Sequence, residues 1–296
     1  MFYIEISNKL KSEINNLSEF SDNTIFFNPE KFEIAVNLIE KRHSEEINEI
    51  KLLIQKNGYL VIKNLPIEFE LPYTPNAPDE IIQKKHYISE INLVFIGYII
   101  GRIFSFEDEN KNKIHNVFPS INHQEYTSSL GSKHHLSLHT EIAFSKFKPD
   151  YISLICVRKS KNLSPTLLCD MKKVFEAVPK HIWNIIQNED YFIRQPATFK
   201  SETIYRKIKA IELEENNNFS FFFNFIDGMM VSLSQKSHEA LDVIKDYVYK
   251  LKEEVLLEEG HAIVIDNHRF LHGRDQIQAN FDGFDRWLQR IYIRKK

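Results

Sequence analysis

The chain lacks the features that would tie it to a nucleic acid, a membrane or an oxidising compartment. Its 38 basic and 41 acidic side chains nearly cancel to a net charge of -3, so no basic face for a phosphate backbone is evident and no nucleic-acid partner is expected. The most apolar uncharged run, "INLVFIGYIIG" from Ile91 to Gly101, is too short to span a bilayer and reads as a buried helix. The opening "MFYIEISNKLKSEINNL" alternates charged and apolar residues without the continuous apolar segment of a secretory signal. A cytoplasmic protein with no membrane contact is therefore expected. Cys156 and Cys169, the only two cysteines, cannot build a disulfide framework and are expected to sit reduced in the core.

What is there suits a folded domain: 43% hydrophobic and 27% charged residues over 296 positions exclude a disordered chain and allow one large core. From Pro29 to Lys56, Phe32, Val36, Ile39, Ile47, Ile50 and Leu53 recur at helical spacing among Lys and Glu, which predicts one amphipathic helix ending near Asn57-Gly58. "YLVIKNLPI" predicts a first core strand stopped by Pro66. Prolines 72, 75 and 78 mark a loop, followed by a long helix from about Asp79 to Ile103.

Beyond Val117 the texture changes to short β-rich runs ("YISLICV", "PTLLCD", "FSFFFNFI", "HAIVID", "RWLQRIYI") with helical patches near 171–188 and 235–257 and a polar surface loop, "EENNN", at 214–218. Strands at such intervals, without a helix between each pair, predict an α+β fold whose antiparallel sheets form a barrel or jelly roll with helices outside. The expected organisation is a single domain over 1–296, with 1–105 a mainly helical support and 106–296 the β core.

The segment "LSLHTEIAF" sets His139 and Glu141 one residue apart within an apolar, strand-like run, where both side chains project from one face. Two other His-x-Glu pairs read differently. His43/Glu45 lies in the amphipathic helix, where positions i and i+2 diverge, and is expected on a solvated face. His123/Glu125 sits in the polar "SINHQEYTSS", with no alternation to fix its geometry. One imidazole and one carboxylate make an incomplete site, and open non-haem Fe(II) centres add a second histidine. The C-terminal stretch offers His261, His268 and His272, and the residues alone do not choose among them.

The strings "IDNHRFLHGR" and "FDGFDRWLQRIYIR" resemble the end of the clavaminate synthase-like branch of Fe(II)/2-oxoglutarate dioxygenases. That branch includes arginine and asparagine β-hydroxylases and free-lysine hydroxylases. The likeness covers roughly Gly101 to the C-terminus and takes in "SSLGS", "LHTE", "YISLICVR" and "PTLLCD". It implies a double-stranded β-helix (jelly-roll) core with His139, Glu141 and His272 as ligands of Fe(II). It further implies Arg286 and Thr166 on the distal carboxylate of the cosubstrate 2-oxoglutarate, and Arg290 on the substrate α-carboxylate. A guanidinium fork suits a carboxylate better than a lysine would.

By the same resemblance Ser129 falls near a substrate-contacting position, and Asp227 falls where relatives hold the substrate side chain. Relatives use a glutamine for the α-amino group, and the chain departs there with "FEDENKNK", leaving Glu109 as the candidate. The implied reaction uses O2 to hydroxylate a free L-amino acid, most simply a basic one (lysine or arginine) at the β or γ carbon, with release of succinate and CO2. Glu141 fills a position that is glycine or alanine in related halogenases, so hydroxylation is expected. Within the class, asparagine, another amino acid, a carrier-bound substrate or desaturation are alternatives. Outside it stand a zinc hydrolase, which would leave Arg286 and Arg290 without a role, and a non-catalytic jelly-roll binding protein.

Overall fold

A computed structural model describes residues 1–20, 29–109, 112–159, 161–162, 164–196, 199, 204–214 and 218–296. The chain opens with strand β1 (Tyr3–Glu5) and helices α1 (Asn8–Asn16), α2 (Pro29–Arg42) and α3 (Ser44–Asn57), which lead into β2 (Tyr59–Lys63). After a proline-bearing loop, α4 (Ile88–Ile100) runs into β3 (Gly101–Phe104), β4 (His115–Val117), β5 (Leu136–His139), β6 (Tyr151–Arg158) and β7 (Thr166–Asp170). Helices α5 (Met171–Ala177) and α6 (Lys180–Asn188) precede the short strands β8 (Tyr191–Arg194), β9 (Tyr205–Ile208), β10 (Ile211–Leu213), β11 (Phe219–Phe221) and β12 (Met230–Ser232). Helix α7 (Gln235–Leu251) is followed by β13 (Glu253–Val255), β14 (Ala262–Asp266), β15 (Phe270–Arg274) and β16 (Trp287–Lys295).

Two sheets carry the architecture. The larger runs β1-β2-β14-β6-β16-β3, with β4 also on β16, and the smaller runs β13-β7-β15-β5. Period-two alternation gives each strand two distinct faces. Tyr59, Val61, Ile152, Leu154, Ile263 and Leu288 of the larger sheet meet Leu168, Val255 and Phe270 of the smaller one in a shared apolar layer. The alternate residues Leu60, Ile62, Ile155, Val264, Trp287 and Ile291 face outward against α1 to α4. On the far side, Leu167, Cys169 and Leu271 are covered by Val174, Trp183, Ile186, Ile244 and Val248 of α5 to α7. The result is an α+β sandwich of helices, sheet, sheet and helices.

Several expectations are corrected. The helix expected over 29–56 is two helices broken at His43, whose backbone (φ -115, ψ 32) is not helical. His43 is not on a solvated face: it is buried, with Nε2 3.1 Å from Glu13 and Nδ1 3.8 Å from Glu46, while Glu45 is exposed. The helix expected from Asp79 begins at Ile88, because Lys84 is drawn inward to Glu68 (2.9 Å) and Glu90 (2.8 Å) ahead of it. It ends at Ile100, and at Gly101, where a Cβ would lie 2.2 Å from the Arg294 carbonyl, the chain enters β3 and pairs with β16. The patch expected to be helical to 257 turns into β13 after Leu251. Cys156 and Cys169 are free and buried, as expected. Residues 215–217 of the polar "EENNN" run lie outside the described residues.

Candidate active site

Strands β5 and β15 are antiparallel neighbours in the smaller sheet, and His139 and His272 are direct register partners. Their rings therefore stand side by side, centroids 4.5 Å apart. The strand expected to continue through Phe144 stops at His139, and residues 141–144 form a turn with Ile142 at φ 56, a strained value for a β-branched residue. Glu141 nevertheless reaches the histidines. Its Oε2 lies 3.2 Å from His272 Nε2 and 3.9 Å from His139 Nε2. One donor atom from each of the three fits within 4.8 Å, and all three residues are buried.

The surroundings prepare these groups to bind a cation. His139 Nδ1 lies 2.8 Å from the Ser137 carbonyl, which fixes the proton there and leaves the Nε2 lone pair facing Glu141. Burial, with the neighbouring His272, pushes His139 down to about 4, so the ring is neutral near pH 7. Burial alone would raise Glu141, but the Arg290 guanidinium and His272 outweigh it and hold the carboxyl well below its usual range. Two imidazoles and one carboxylate converging in this way match the 2-His-1-carboxylate set of an open non-haem Fe(II) site.

Glu141 is held from far along the chain. Asn267, fully buried, accepts from the Glu141 N–H (2.9 Å) and donates to the Glu141 carbonyl (3.0 Å) and the Pro149 carbonyl (2.9 Å). Lys148, also fully buried, donates to the carbonyls of Asn267 (3.2 Å) and Phe221 (2.6 Å). Asn267→Leu is expected to leave three buried main-chain groups unpaired at about 1–3 kcal/mol each. Urea unfolding of the metal-free protein should show a loss of at least about 3 kcal/mol. A loss below half of that would mean the Glu141 turn is held by other contacts.

Strand β16 supplies the cations from the opposite sheet. Arg290 donates to Glu141 Oε2 (3.1 Å), and its other terminal nitrogen lies 3.5 Å from Glu109 and 3.2 Å from His115 Nδ1. Two residues on, Tyr292 donates to Glu141 Oε1 (3.0 Å) and Glu109 (3.3 Å). Burial raises Glu109, and burial with Arg290 lowers His115 to about 4. At the start of the strand Arg286, 6% exposed, donates to the Thr166 hydroxyl at 3.2 Å. Burial pushes its guanidinium down to about 10, and no carboxylate of the described residues offsets that.

Of the candidates, His139, Glu141, His272, Arg290 and Glu109 come together, with Arg286 and Thr166 in contact beside them. Ser129 is half-buried in the loop after His123, and Asp227 is exposed at the 226–229 turn; neither has a described contact with the three. His268 is held elsewhere, its Nε2 2.7 Å from Asp150 and its Nδ1 2.7 Å from Ser220, while His261 Nδ1 accepts from the Glu258 N–H. Glu125 pairs with Lys133 and His134 at the surface. Sequence reasoning missed Tyr292, His115 and Asn267; Tyr292 had a signal, being in phase with Arg290.

The model of the family described as "Taurine catabolism dioxygenase TauD, TfdA family" matches residues 17–292. The chain belongs to the TauD/TfdA family. This TauD/TfdA member is 28% identical over 244 residues to the L-lysine 3-hydroxylase of Catenulispora acidiphila, covering 80% of the chain and 67% of the relative. It is 25% identical to clavaminate synthase 2 of Streptomyces clavuligerus, over 81% of the chain and 74% of the relative. An asparagine oxygenase solved with Fe(II), 2S,3S-3-hydroxyasparagine and succinate shares the fold, with a TM-score of 0.86 at 17% identity over 99% of this chain and 93% of that one. The TauD/TfdA protein is a non-haem Fe(II)- and 2-oxoglutarate-dependent dioxygenase, and its cofactors are Fe(II), 2-oxoglutarate and O2. Among the described residues, no helix is long and apolar enough to cross a membrane.

Proposed function

We propose that the protein hydroxylates a free L-amino acid with a basic side chain, lysine or arginine, at the β or γ carbon. In this reading His139, Glu141 and His272 hold Fe(II), and Arg286 with Thr166 holds the distal carboxylate of 2-oxoglutarate. The observation that carries it is the pairing of the three convergent ligand atoms with Arg286, a buried guanidinium that no carboxylate of the described residues matches. A zinc hydrolase would leave that cation without purpose. The iron centre, with 2-oxoglutarate and O2, supplies the oxidising power, and 2-oxoglutarate leaves as succinate and CO2.

The chain's own part is to hold one carbon of the substrate in place and to exclude water. Arg290 takes the α-carboxylate, exchanging its ligand-free contact with Glu141 for the substrate. Glu109 takes the α-ammonium, an assignment supported by its buried Oε2, which has no hydrogen-bond partner. Asp227 meets the basic end and Ser129 closes over the substrate. For Asp227 the support is position: it lies three residues past Asn224, whose backbone bridges His139. The jelly-roll reading is supported by the chain's alternation between sheets, with β5, β7 and β15 in the smaller and β6, β14 and β16 in the larger. The two buried thiols fit the reducing cytoplasm. The lysine 3-hydroxylase among the relatives favours a basic substrate.

The test is incubation of anaerobically purified protein with Fe(II), 2-oxoglutarate, O2, ascorbate and single amino acids. Mass spectrometry follows succinate coupled to the gain of one oxygen. Lysine or arginine is expected to give the oxygenated product. Equal or greater turnover of asparagine would overturn the basic preference, and succinate without any product would reject free amino acids.

A further inference from the structure

Arg274 has no role in the assignments above, yet it is among the most enclosed charges in the molecule, 4% exposed. It follows His272 by two residues on β15, so both side chains share the inner face, and its register partner on β7 is Thr166. Thr166 carries the hydroxyl that Arg286 donates to. Arg274 thus stands beside the residue whose hydroxyl Arg286 engages, and the charge of Arg286 acts against that of Arg274. Among the described residues, no carboxylate pairs with either.

Arg274 turns its donors the other way, onto main-chain carbonyls. It bonds Ser128 (3.0 Å), Gly131 and His134 (3.2 Å), besides its neighbour Asp275 (3.0 Å). The Ile277 N–H adds a bond to the Ser132 carbonyl at 2.9 Å. Gly131 packs so tightly that a Cβ there would lie 1.7 Å from the Tyr126 carbonyl. One side chain therefore anchors the whole 128–134 loop, which carries Ser129. Its Nε is buried without a partner.

We propose that Arg274 couples occupancy of the 2-oxoglutarate site to docking of the 128–134 loop. Like charges held together in a dry environment repel, and a carboxylate bound at Arg286 and Thr166 offsets that cost while Arg274 keeps its bonds to the loop carbonyls. The loop is then anchored more firmly when the anion is present than when it is absent, and the effect on the anion is reciprocal. Arg274 is a positioning residue: it acts on the substrate side of the site through the loop. The inference rests on the assignment of 2-oxoglutarate to Arg286 and Thr166.

The experiment is hydrogen exchange of the whole chain, loaded anaerobically with Fe(II), with and without 2-oxoglutarate, beside calorimetric titration of 2-oxoglutarate. Exchange of amides in 126–134 is expected to slow by about tenfold on addition, within the usual range of coupling between two sites. Arg274→Lys keeps the charge but cannot span three carbonyls. Its loop should exchange fast in both states, and its affinity for 2-oxoglutarate should fall by the factor of protection lost. If 2-oxoglutarate binds and the wild-type loop is equally protected in both states, Arg274 is a plain structural anchor and the coupling is wrong while the site assignment stands. If 2-oxoglutarate does not bind, both fail. The wild-type comparison decides even if Arg274→Lys does not fold.

Discussion

Arg286→Leu is expected to raise the stability of the ligand-free protein while weakening 2-oxoglutarate by about a hundredfold or more, the loss that follows truncation of one partner of a buried charge pair. The two effects have one cause. Arg286 is buried beside Cys156, and its one described hydrogen bond goes to the Thr166 hydroxyl. A guanidinium so placed pays for desolvation without a counter-charge until an anion arrives. Leucine would extend the apolar layer formed by Leu288 and Leu154, at the loss of one neutral-acceptor hydrogen bond. The gain should be about 1–3 kcal/mol in urea unfolding without ligands, in line with replacing buried ions by apolar groups. Destabilisation on that scale would show that the protein supplies Arg286 with a counter-charge of its own. Unchanged affinity for 2-oxoglutarate would remove Arg286 from the cosubstrate site.

Much of this was legible because β16 keeps a strict period of two. In "RWLQRIYIR" Arg286, Leu288, Arg290 and Tyr292 fall on the face toward the smaller sheet, and Trp287, Ile291 and Ile293 fall on the face toward the helices. Alternation of this kind is local, so the sequence carries it. The burial of α4 was readable from a different local signal, the uncharged apolar run "INLVFIGYIIG".

What escaped depends on partners distant in sequence. The helical spacing of apolar residues continues across His43, so nothing local marks the break; Glu13, thirty residues earlier, draws the ring inward. The apolar bracket around His139 and Glu141 reads as an unbroken strand, yet Asn267, separated by 126 residues, takes the hydrogen bonds a ladder would have used. His268 and His272 look alike as sequence. Only the fold puts Asp150 and Ser220 around one and His139 opposite the other. Asp227, by contrast, followed its local signal: Asp-Gly is turn chemistry, and a turn is what it occupies.

Glu141→Ala should remove both the metal and a large part of the stability, because one carboxylate serves two ends. Its Oε2 lies 3.2 Å from His272 Nε2, where a shared cation would sit, and 3.1 Å from an Arg290 nitrogen; its Oε1 accepts from Tyr292 at 3.0 Å. Truncation leaves Arg290 buried with Glu109 at 3.5 Å as its remaining acid, and burial already works against ionisation of Glu109. Breaking a buried pair in this way costs about 3–5 kcal/mol, which unfolding of the metal-free protein would register. Fe(II) affinity, followed by anaerobic equilibrium dialysis, should fall by more than the roughly hundredfold that loss of an outer-shell partner reaches, since here a ligand itself is removed. Glu141→Gln separates the two roles, keeping the shape and the Tyr292 acceptor while removing the charge. Full stability with Fe(II) lost in that variant would mean that the carboxylate answers to the metal alone. Loss of both, as expected, would mean that Arg290 needs the same charge in the ligand-free protein.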